Sequence, residues 1–332
     1  MATTAYSTTL PTLLDVANRT DPNGSIARIV ELMQKESPFL QTMGWKEGNL
    51  PTGHKFTQRT ALPSLAWRKL NAGVPASKSR TGQITEMTGQ LAGMSKVDVD
   101  LCRINGNEAA FRQTEDDAFI NAFHNDLESA FFYSSQKTDP DQVHGLSPRL
   151  DGLTSTSYDN QIVNSQISSS GSDQTSIWFV VWSPNTVYGI YPKGLPTGLQ
   201  PDDLGKQLTA DADGNEFTAW VTDWKWNVGF CVEDYRYVCR LCNIDTSAIA
   251  KTGKLLIEDM ITAYHRIKSW SKGRGAIYCN RTIMTYLHLQ TQDTVKNSTL
   301  TIENIGGMPV TRFMGVPIHM TDGLVDTEDV VS

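Results

Sequence analysis

The chain has 332 residues, 39% of them hydrophobic and 20% charged, and a formal net charge of -7 at pH 7. That is enough chain and enough apolar content for two or three folded domains with a sizeable core, which excludes an unstructured polymer. A pI near 5.4 argues against a protein that wraps nucleic acid by neutralising phosphates, because that task needs a strongly basic face.

The N-terminal stretch MATTAYSTTLPTLL has neither a basic leader nor a long apolar run. Nowhere does the sequence approach the roughly 18 consecutive apolar residues of a membrane span. The expectation is a protein that folds in the cytoplasm without a membrane partner. Cys102, Cys231, Cys239, Cys242 and Cys279 are odd in number and sit mostly in apolar segments, which suits buried thiols in a reducing compartment better than a disulfide framework.

From Ser25, Ile26, Ile29, Val30 and Met33 fall at i, i+3, i+4 and i+7 before Pro38, predicting a short amphipathic helix on an N-terminal arm. From Gly44 to about Ile104, alternating stretches such as KFTQRTA and KVDVDLCRI predict a long extended β excursion with Val97, Val99 and Leu101 on one face. Between Lys46 and Arg80 this excursion carries Lys46, Lys55, Arg59, Arg68, Lys69, Lys78 and Arg80 against the single acid Glu47. So many like charges on one excursion call for a partner.

The segment NEAAFRQTEDDAFINAFHNDLESAFFY repeats Phe111, Ala118, Phe119, Ala122, Phe123, Leu127, Ala130 and Phe131 at three- and four-residue spacing, predicting a helix of about seven turns. Its other face holds Glu108, Glu115, Asp116, Asp117, Asp126 and Glu128 against the lone Arg112. An acidic face of this kind is either solvated surface or the complement of the basic excursion.

A Ser-, Asp- and Gly-rich tract from Ser134 to Gln174 reads as a long surface loop. SIWFVVW and TVYGIY are near-continuous apolar runs split by Ser183-Pro184-Asn185, the pattern of strands buried on both faces. The stretch FTAWVTDWKWNVGFCVEDYRYVCRLCNI predicts a second strand pair in which Tyr235, Tyr237, Cys239 and Leu241 alternate with Arg236, Val238, Arg240 and Cys242. Leu256, Met260, Ala263, Tyr264 and Ile267 predict a further amphipathic helix, Ala276 to Cys279 a short strand, and Asn280 the cap of a helix reaching about Leu289. GVPIHMTDGLVDTEDVV closes the chain as two strand-like runs around Thr321 to Gly323.

Chemistry is nearly absent from the motifs. Cys239-x-x-Cys242 is half of a zinc or redox motif, but within a strand its odd spacing sends the two side chains to opposite faces. Lys272-Gly273-Arg274-Gly275 lacks the Lys-Ser/Thr of a phosphate loop, and His54, His144, His265 and His319 form no HExxH or acid/base constellation. No catalytic, cofactor-binding or metal residue is expected.

WFVVWSPNTVYGIYPKG with GLQPDDLG, then WKWNVGFCVEDYRYVCRLCNID, AIYCNRTIMTYL and FMGVPIHMTDGLVDTE, in this order, resembles the major capsid proteins of short-tailed bacteriophages of the epsilon15-like group. The resemblance implies the α+β HK97-like capsid fold. Its parts map onto an N-terminal arm at 1–43, an extended E-loop at 44–104, and a P domain at 105–245 with a spine helix at 107–133 and a long loop at 135–175. An A domain follows at 246–315 and C-terminal return strands at 316–332. The implied function is a coat protein that assembles into hexamers and pentamers of an icosahedral shell around packaged double-stranded DNA. Implied partners are other copies of the chain, a portal protein, a separate scaffolding protein, and a decoration or cement protein. DNA would be held without sequence-specific binding, and the shell would assemble in the host bacterial cytoplasm.

No long pre-domain precedes the arm and no Lys-Asn-Glu cross-linking trio is assignable, so a separate scaffold and a non-covalent shell are expected. The expected intersubunit contacts are Ile26, Ile29, Val30 and Met33 on the arm, Lys55, Arg59, Arg68, Lys69, Lys78 and Arg80 on the excursion, and Glu115, Asp116, Asp117, Asp126 and Glu128 on the helix. Two alternatives stand: an encapsulin-like nanocompartment shell, which would hold cargo enzyme instead of DNA, and a cytosolic hydrolase using Cys239 or His265. The isolated stripe of Ile26, Ile29, Val30 and Met33 is too short to be a stable helix alone and must bury itself against something. Deleting residues 1–36 should therefore leave a folded, soluble subunit that fails to form closed shells in electron micrographs; normal assembly of the truncated chain would refute an assembly role for the arm.

Overall fold

A computed structural model of the chain describes residues 10–11, 37–103, 107–153, 159–165, 167, 173–210, 214–293, 300–305 and 308–332. The predicted arm helix at Ile26, Ile29, Val30 and Met33 lies outside the described residues.

The strands are β1 (Trp45–Glu47), β2 (Gly53–Ala61), β3 (Arg80–Asp98), β4 (Ile162–Asn164), β5 (Gln174–Trp182), β6 (Val187–Tyr191), β7 (Gln200–Ala210), β8 (Glu216–Val232), β9 (Val238–Asp245), β10 (Arg274–Cys279), β11 (Leu300–Ile305), β12 (Met308–Phe313) and β13 (Val316–Met320). Among the described residues they form one mixed sheet in the order β11-β12-β13-β10-β5-β6-β8-β3-β2, with β1 beside β6, β4 beside β9, β9 beside β5 and β7 beside β8.

The sheet turns on β5, whose nine residues are all buried. Period-2 alternation gives it two apolar faces. Trp178, Val180 and Trp182 join Phe123, Leu127, Phe131 and Phe132 of the long helix Glu108–Tyr133 in one core. Ile177, Phe179 and Val181 join Leu256, Met260 and Ala263 of the helix Ile249–Arg266, and Ile283 and Leu287 of the helix Arg281–Asp293, in a second. On β9, Cys239 lies in the second core and Cys242 in the first, so the CxxC spacing does separate its thiols.

Phe39, on the short helix Pro38–Thr42, is the hub of the first core. Its ring centroid lies 4.8 Å from that of Phe132, 5.0 Å from Tyr278 and 5.1 Å from Trp182, within the range where tilted and edge-on aromatic pairs attract. The long helix begins where the side chain of Asn107 accepts a hydrogen bond from the Ala110 amide at 3.1 Å, and Asn280 caps the helix Arg281–Asp293 in the same way through the Ile283 amide at 2.9 Å.

Several expectations change. The extended excursion ends at Asp98, and Val99–Arg103 is a helical turn that packs Leu101 and Cys102 against Phe111; strand-like alternation over so few residues does not exclude one turn of helix. Tyr235–Tyr237 is a 3-10 turn, not strand, because the Asp234 carboxylate accepts from the Arg236 amide at 3.1 Å and holds the chain in a turn. The polar tract after Ser134 is not simply a surface loop. Val143, Leu146 and Leu150 are buried in the first core, and β4 pairs with β9 in parallel. Gly145 makes the approach possible, since a Cβ there would stand 2.8 Å from the Ala130 carbonyl oxygen. The last run, beyond Met320, is no strand but a turn and bends with a single bridge from Glu328 to Gln174. It is tied down by Asn243, which donates to the Val331 carbonyl at 2.9 Å and accepts from the Val331 amide at 2.8 Å.

The hairpin of β2 and β3 leaves the body from a fixed root. Glu86 on β3 takes two hydrogen bonds from Arg149, at 2.5 Å and 2.8 Å, and both side chains are buried. Arg149 also donates to the carbonyls of His144 and Gly145 and to the Tyr235 hydroxyl. Breaking a buried pair strands the other charge, at a cost of about 3–5 kcal/mol, whereas apolar replacement of both partners is nearly neutral. Arg149→Ala should therefore lower subunit stability by about that amount in urea titration, and Arg149→Met with Glu86→Leu should recover most of it. Equal losses in the single and double variants would show that the pair itself is not the anchor.

Candidate functional site

No described group of three or more His, Cys, Asp or Glu side chains is arranged to hold a metal ion, and among the described residues no helix is long and apolar enough to cross a membrane. Cys239 is fully buried and its burial pushes the thiol well above its ordinary pKa, so the hydrolase reading loses its nucleophile. The chemistry-bearing residues instead form two charged surfaces.

The first is the hairpin. Lys55 and Arg59 on β2, Arg80 at the start of β3, and Arg68, Lys69 and Lys78 in the connection between them are all exposed. Among the described residues none of these six makes an ion pair. Antiparallel pairing from Gly53 with Met87 to Ala61 with Arg80, bulged between Arg59 and Ala61, carries the charges outward from the anchored Glu86.

The second surface is the long helix, and here the acids divide. Asp117 and Asp126 are exposed, and Glu115 and Asp116 are half-buried. Asp116 has its pKa raised, mainly by burial, while Arg112 beside it pulls the other way. Arg112 is already engaged within its own chain, bonded to Asp203 of β7 at 2.8 Å and lying 4.6 Å over the Trp220 ring. The helix therefore presents net negative charge.

Glu128 does not belong to this surface. It is fully buried and accepts a hydrogen bond from the Thr321 hydroxyl at 2.8 Å. The helical wheel put it with the acids because it follows Leu127 by one residue, but the C-terminal segment folds over that position and removes it from water. Its role is internal, and the expectation of an intersubunit contact at Glu128 is corrected.

A further surface had no expectation attached. In the connection 62–79, Leu62, Leu65, Trp67, Leu70 and Val74 are all exposed, interleaved with the basic residues. The only signal in the sequence was a tryptophan and three leucines in a stretch too short and irregular for any periodicity.

A sheet whose central strands are buried on both faces, a long helix across one face, a charged hairpin anchored at its root and a terminal segment folded back on the body define a shell subunit of the HK97 type. The family model for major capsid protein GP7 matches residues 21–332, and the chain belongs to that family: it is a major capsid protein, a coat protein of an icosahedral phage shell. The chain is similar to that of the solved structure of bacteriophage Epsilon15, with 32% identity, a TM-score of 0.81, and coverage of 100% of this chain and 99% of that one. Weaker similarities are to Microbacterium phage Oxtober96, at 11% identity and TM-score 0.45 over 69% of this chain and 98% of that one, and to the SrpI encapsulin of Synechococcus elongatus, at 12% identity and TM-score 0.41 over 71% and 97%. No curated protein matches.

Burial raises the pKa of Glu128 above its ordinary 4.5. A carboxyl whose folded pKa is raised binds its proton more tightly when folded, so its contribution to stability is complete below the unfolded value and is lost as pH rises through the folded one. Glu128→Gln keeps an acceptor for Thr321 and removes the charge. The variant should unfold at a higher temperature than the wild type at pH 7.5, and the gap should shrink toward pH 4.5. A gap independent of pH would show that Glu128 does not titrate in the fold.

Proposed function

We propose that the chain builds hexamers and pentamers of a shell that encloses packaged double-stranded DNA, through a contact between the basic hairpin of one copy and the acidic helix of the next. The observation that carries this reading is complementarity within one sequence: seven Lys/Arg against one acid between Lys46 and Arg80, and a helix bearing Glu115, Asp116, Asp117 and Asp126 whose one arginine is spent on Asp203. Among the described residues Lys55, Arg59, Arg68, Lys69, Lys78 and Arg80 make no ion pair in their own subunit, and a repeated self-contact supplies one. Each exposed pair contributes only about 0.2–1 kcal/mol, but a closed shell repeats the contact at every interface.

In this reading residues 1–43 are an assembly arm, 44–104 the E-loop, 105–245 the P domain, 246–315 the A domain, and 316–332 the return to the body. The net charge of -7 keeps packaged DNA from adhering to the wall. Assembly takes place in the host bacterial cytoplasm, with a portal protein, a separate scaffolding protein and a decoration protein as further partners, and without covalent cross-links.

Salt screens such a contact, since the Debye length falls to roughly 3 Å at 1 M. Reversing Arg59, Arg68 and Lys69 to Glu should block assembly, followed by light scattering and electron microscopy, while circular dichroism of the subunit is unchanged. Adding Asp116→Lys and Asp117→Lys to the same chain should restore part of it. A correctly folded five-fold variant that recovers no assembly would return the acidic face to plain solvated surface.

A further inference from the structure

The exposed apolar residues of the hairpin tip are not accounted for by charge pairing. Leu65 is 94% exposed, Trp67 fully exposed and Leu70 96% exposed, and Leu62 and Val74 are exposed on the same connection. Single exposed apolar side chains are ordinary, but five on one short connection mark a surface that is covered in use. The tip is also shaped in advance. The Ser77 hydroxyl donates to the Ser64 carbonyl at 2.6 Å, Arg68 Nε to the Ala72 carbonyl at 3.1 Å, and Asn71 takes the left-handed φ of 64° that tightens the turn. A loop held by its own hydrogen bonds loses less entropy when it docks.

A matching concavity lies at the root of the hairpin. Between β3, the long helix and the segment 134–143 is a groove of about 560 Å³. Its floor is apolar, made by Leu91, Leu127, Ala130, Val143 and Val228, and its rim carries Asp126, Asp139 and Asp141. An apolar floor with a few polar groups around it is the usual composition of a site that takes an aromatic anchor. The tip presents the complement: Trp67 with Leu65 and Leu70 beside it, and Arg68 and Lys69 immediately following.

The groove cannot be filled by the tip of the same chain. The groove includes Gly89 and Leu91, whereas the tip begins beyond Arg80, and nine residues of strand between Arg80 and Gly89 set them apart by roughly 30 Å. The pairing keeps register from Gly53 with Met87 out to Arg59 with Thr81. The buried Arg149–Glu86 pair fixes the direction in which it leaves.

The geometry points to the groove as the socket for the hairpin tip of a second copy of this chain, with Trp67 seated on Leu127, Ala130 and Val228, inside a rim whose Asp126, Asp139 and Asp141 add to the negative charge of Asp116 and Asp117 on the long helix. This rests on the shell reading above and gives it a discriminating anchor: charge complementarity selects and orients the neighbour, and burial of the indole holds it. Because Trp67 is fully exposed and is held by no ring contact among the described residues, its removal alters assembly without altering the fold.

Two measurements test this on the full chain. Trp67→Ala should give the wild-type circular dichroism spectrum and unfolding temperature, yet require at least about tenfold more subunit for assembly, as truncation of a central aromatic anchor does. The five native cysteines are buried, so a short bismaleimide reads only introduced ones. Ala66→Cys with Gln142→Cys should give a ladder of linked subunits in denaturing gels of assembled particles, and Ala66→Cys with Thr285→Cys, on the helix Arg281–Asp293, should not. Trp67→Ala that assembles at the wild-type concentration overturns the anchor. A ladder from the control pair, or none from the groove pair in particles that do form, overturns the socket. Wild-type protein that forms no shell when expressed together with its scaffolding protein overturns the shell reading, and this contact with it.

Discussion

The double burial of β5 is the constraint on which the rest of the subunit depends. A strand with all nine residues out of water must be covered on both faces, and its alternation assigns the covering in advance. The Trp178, Val180 and Trp182 face needs large aromatic partners, which come from Phe39, Phe131 and Phe132. The Ile177, Phe179 and Val181 face takes the aliphatic stripes of the two C-terminal helices. The long helix and the C-terminal pair therefore sit on opposite sides of one sheet, and the edges left over are free to be drawn out into the hairpins β2–β3 and β7–β8.

Buried ions then fix what hydrophobic packing leaves loose. Apolar contact is not directional, so a core can set the position of a hairpin or a tail without setting its angle. Arg149 and Glu86 aim the β2–β3 hairpin. Arg240 does the same for the C-terminal segment: it donates to Glu328 at 2.9 Å, to Ser176 at 3.1 Å and to the Leu150 carbonyl at 2.8 Å, while Tyr133 donates to Glu328 at 2.6 Å. Such pairs gain little net stability against an apolar replacement, but they tolerate only one geometry. In a shell subunit an error in the angle of an arm is repeated in every copy.

The outer hairpin β7–β8 shows the complementary problem. A long exposed edge strand invites pairing with another chain. β7 carries Pro201, adjacent carboxylates at Asp202 and Asp203, a bulge between Asp203 and Gly205, and Lys206, each of which discourages an incoming strand. The edge of β7 thus discourages backbone pairing with another chain, a pairing that would not be selective.

The sequence by itself determined the elements whose signal is periodic and local. The two-faced burial of β5 was legible in SIWFVVW, the long helix in its repeated phenylalanines, the cap at Asn280 in its position before an apolar repeat, and the separation of Cys239 from Cys242 in their spacing. The ordered motifs from WFVVWSPNTVYGIYPKG onward were enough to show the family resemblance. Tertiary structure alone decided what depends on contacts between distant segments. Glu128 looked like one more surface acid until Thr321 and the returning C-terminus closed over it. Val143, Leu146 and Leu150 were hidden by the polar residues around them, and Arg149 could not be matched to Glu86, 63 residues away, because a charge carries no record in the sequence of which opposite charge it will meet. The exposure of Trp67 was equally invisible: an apolar residue is buried or displayed according to whether another segment of the chain arrives to cover it, and none of the described segments does.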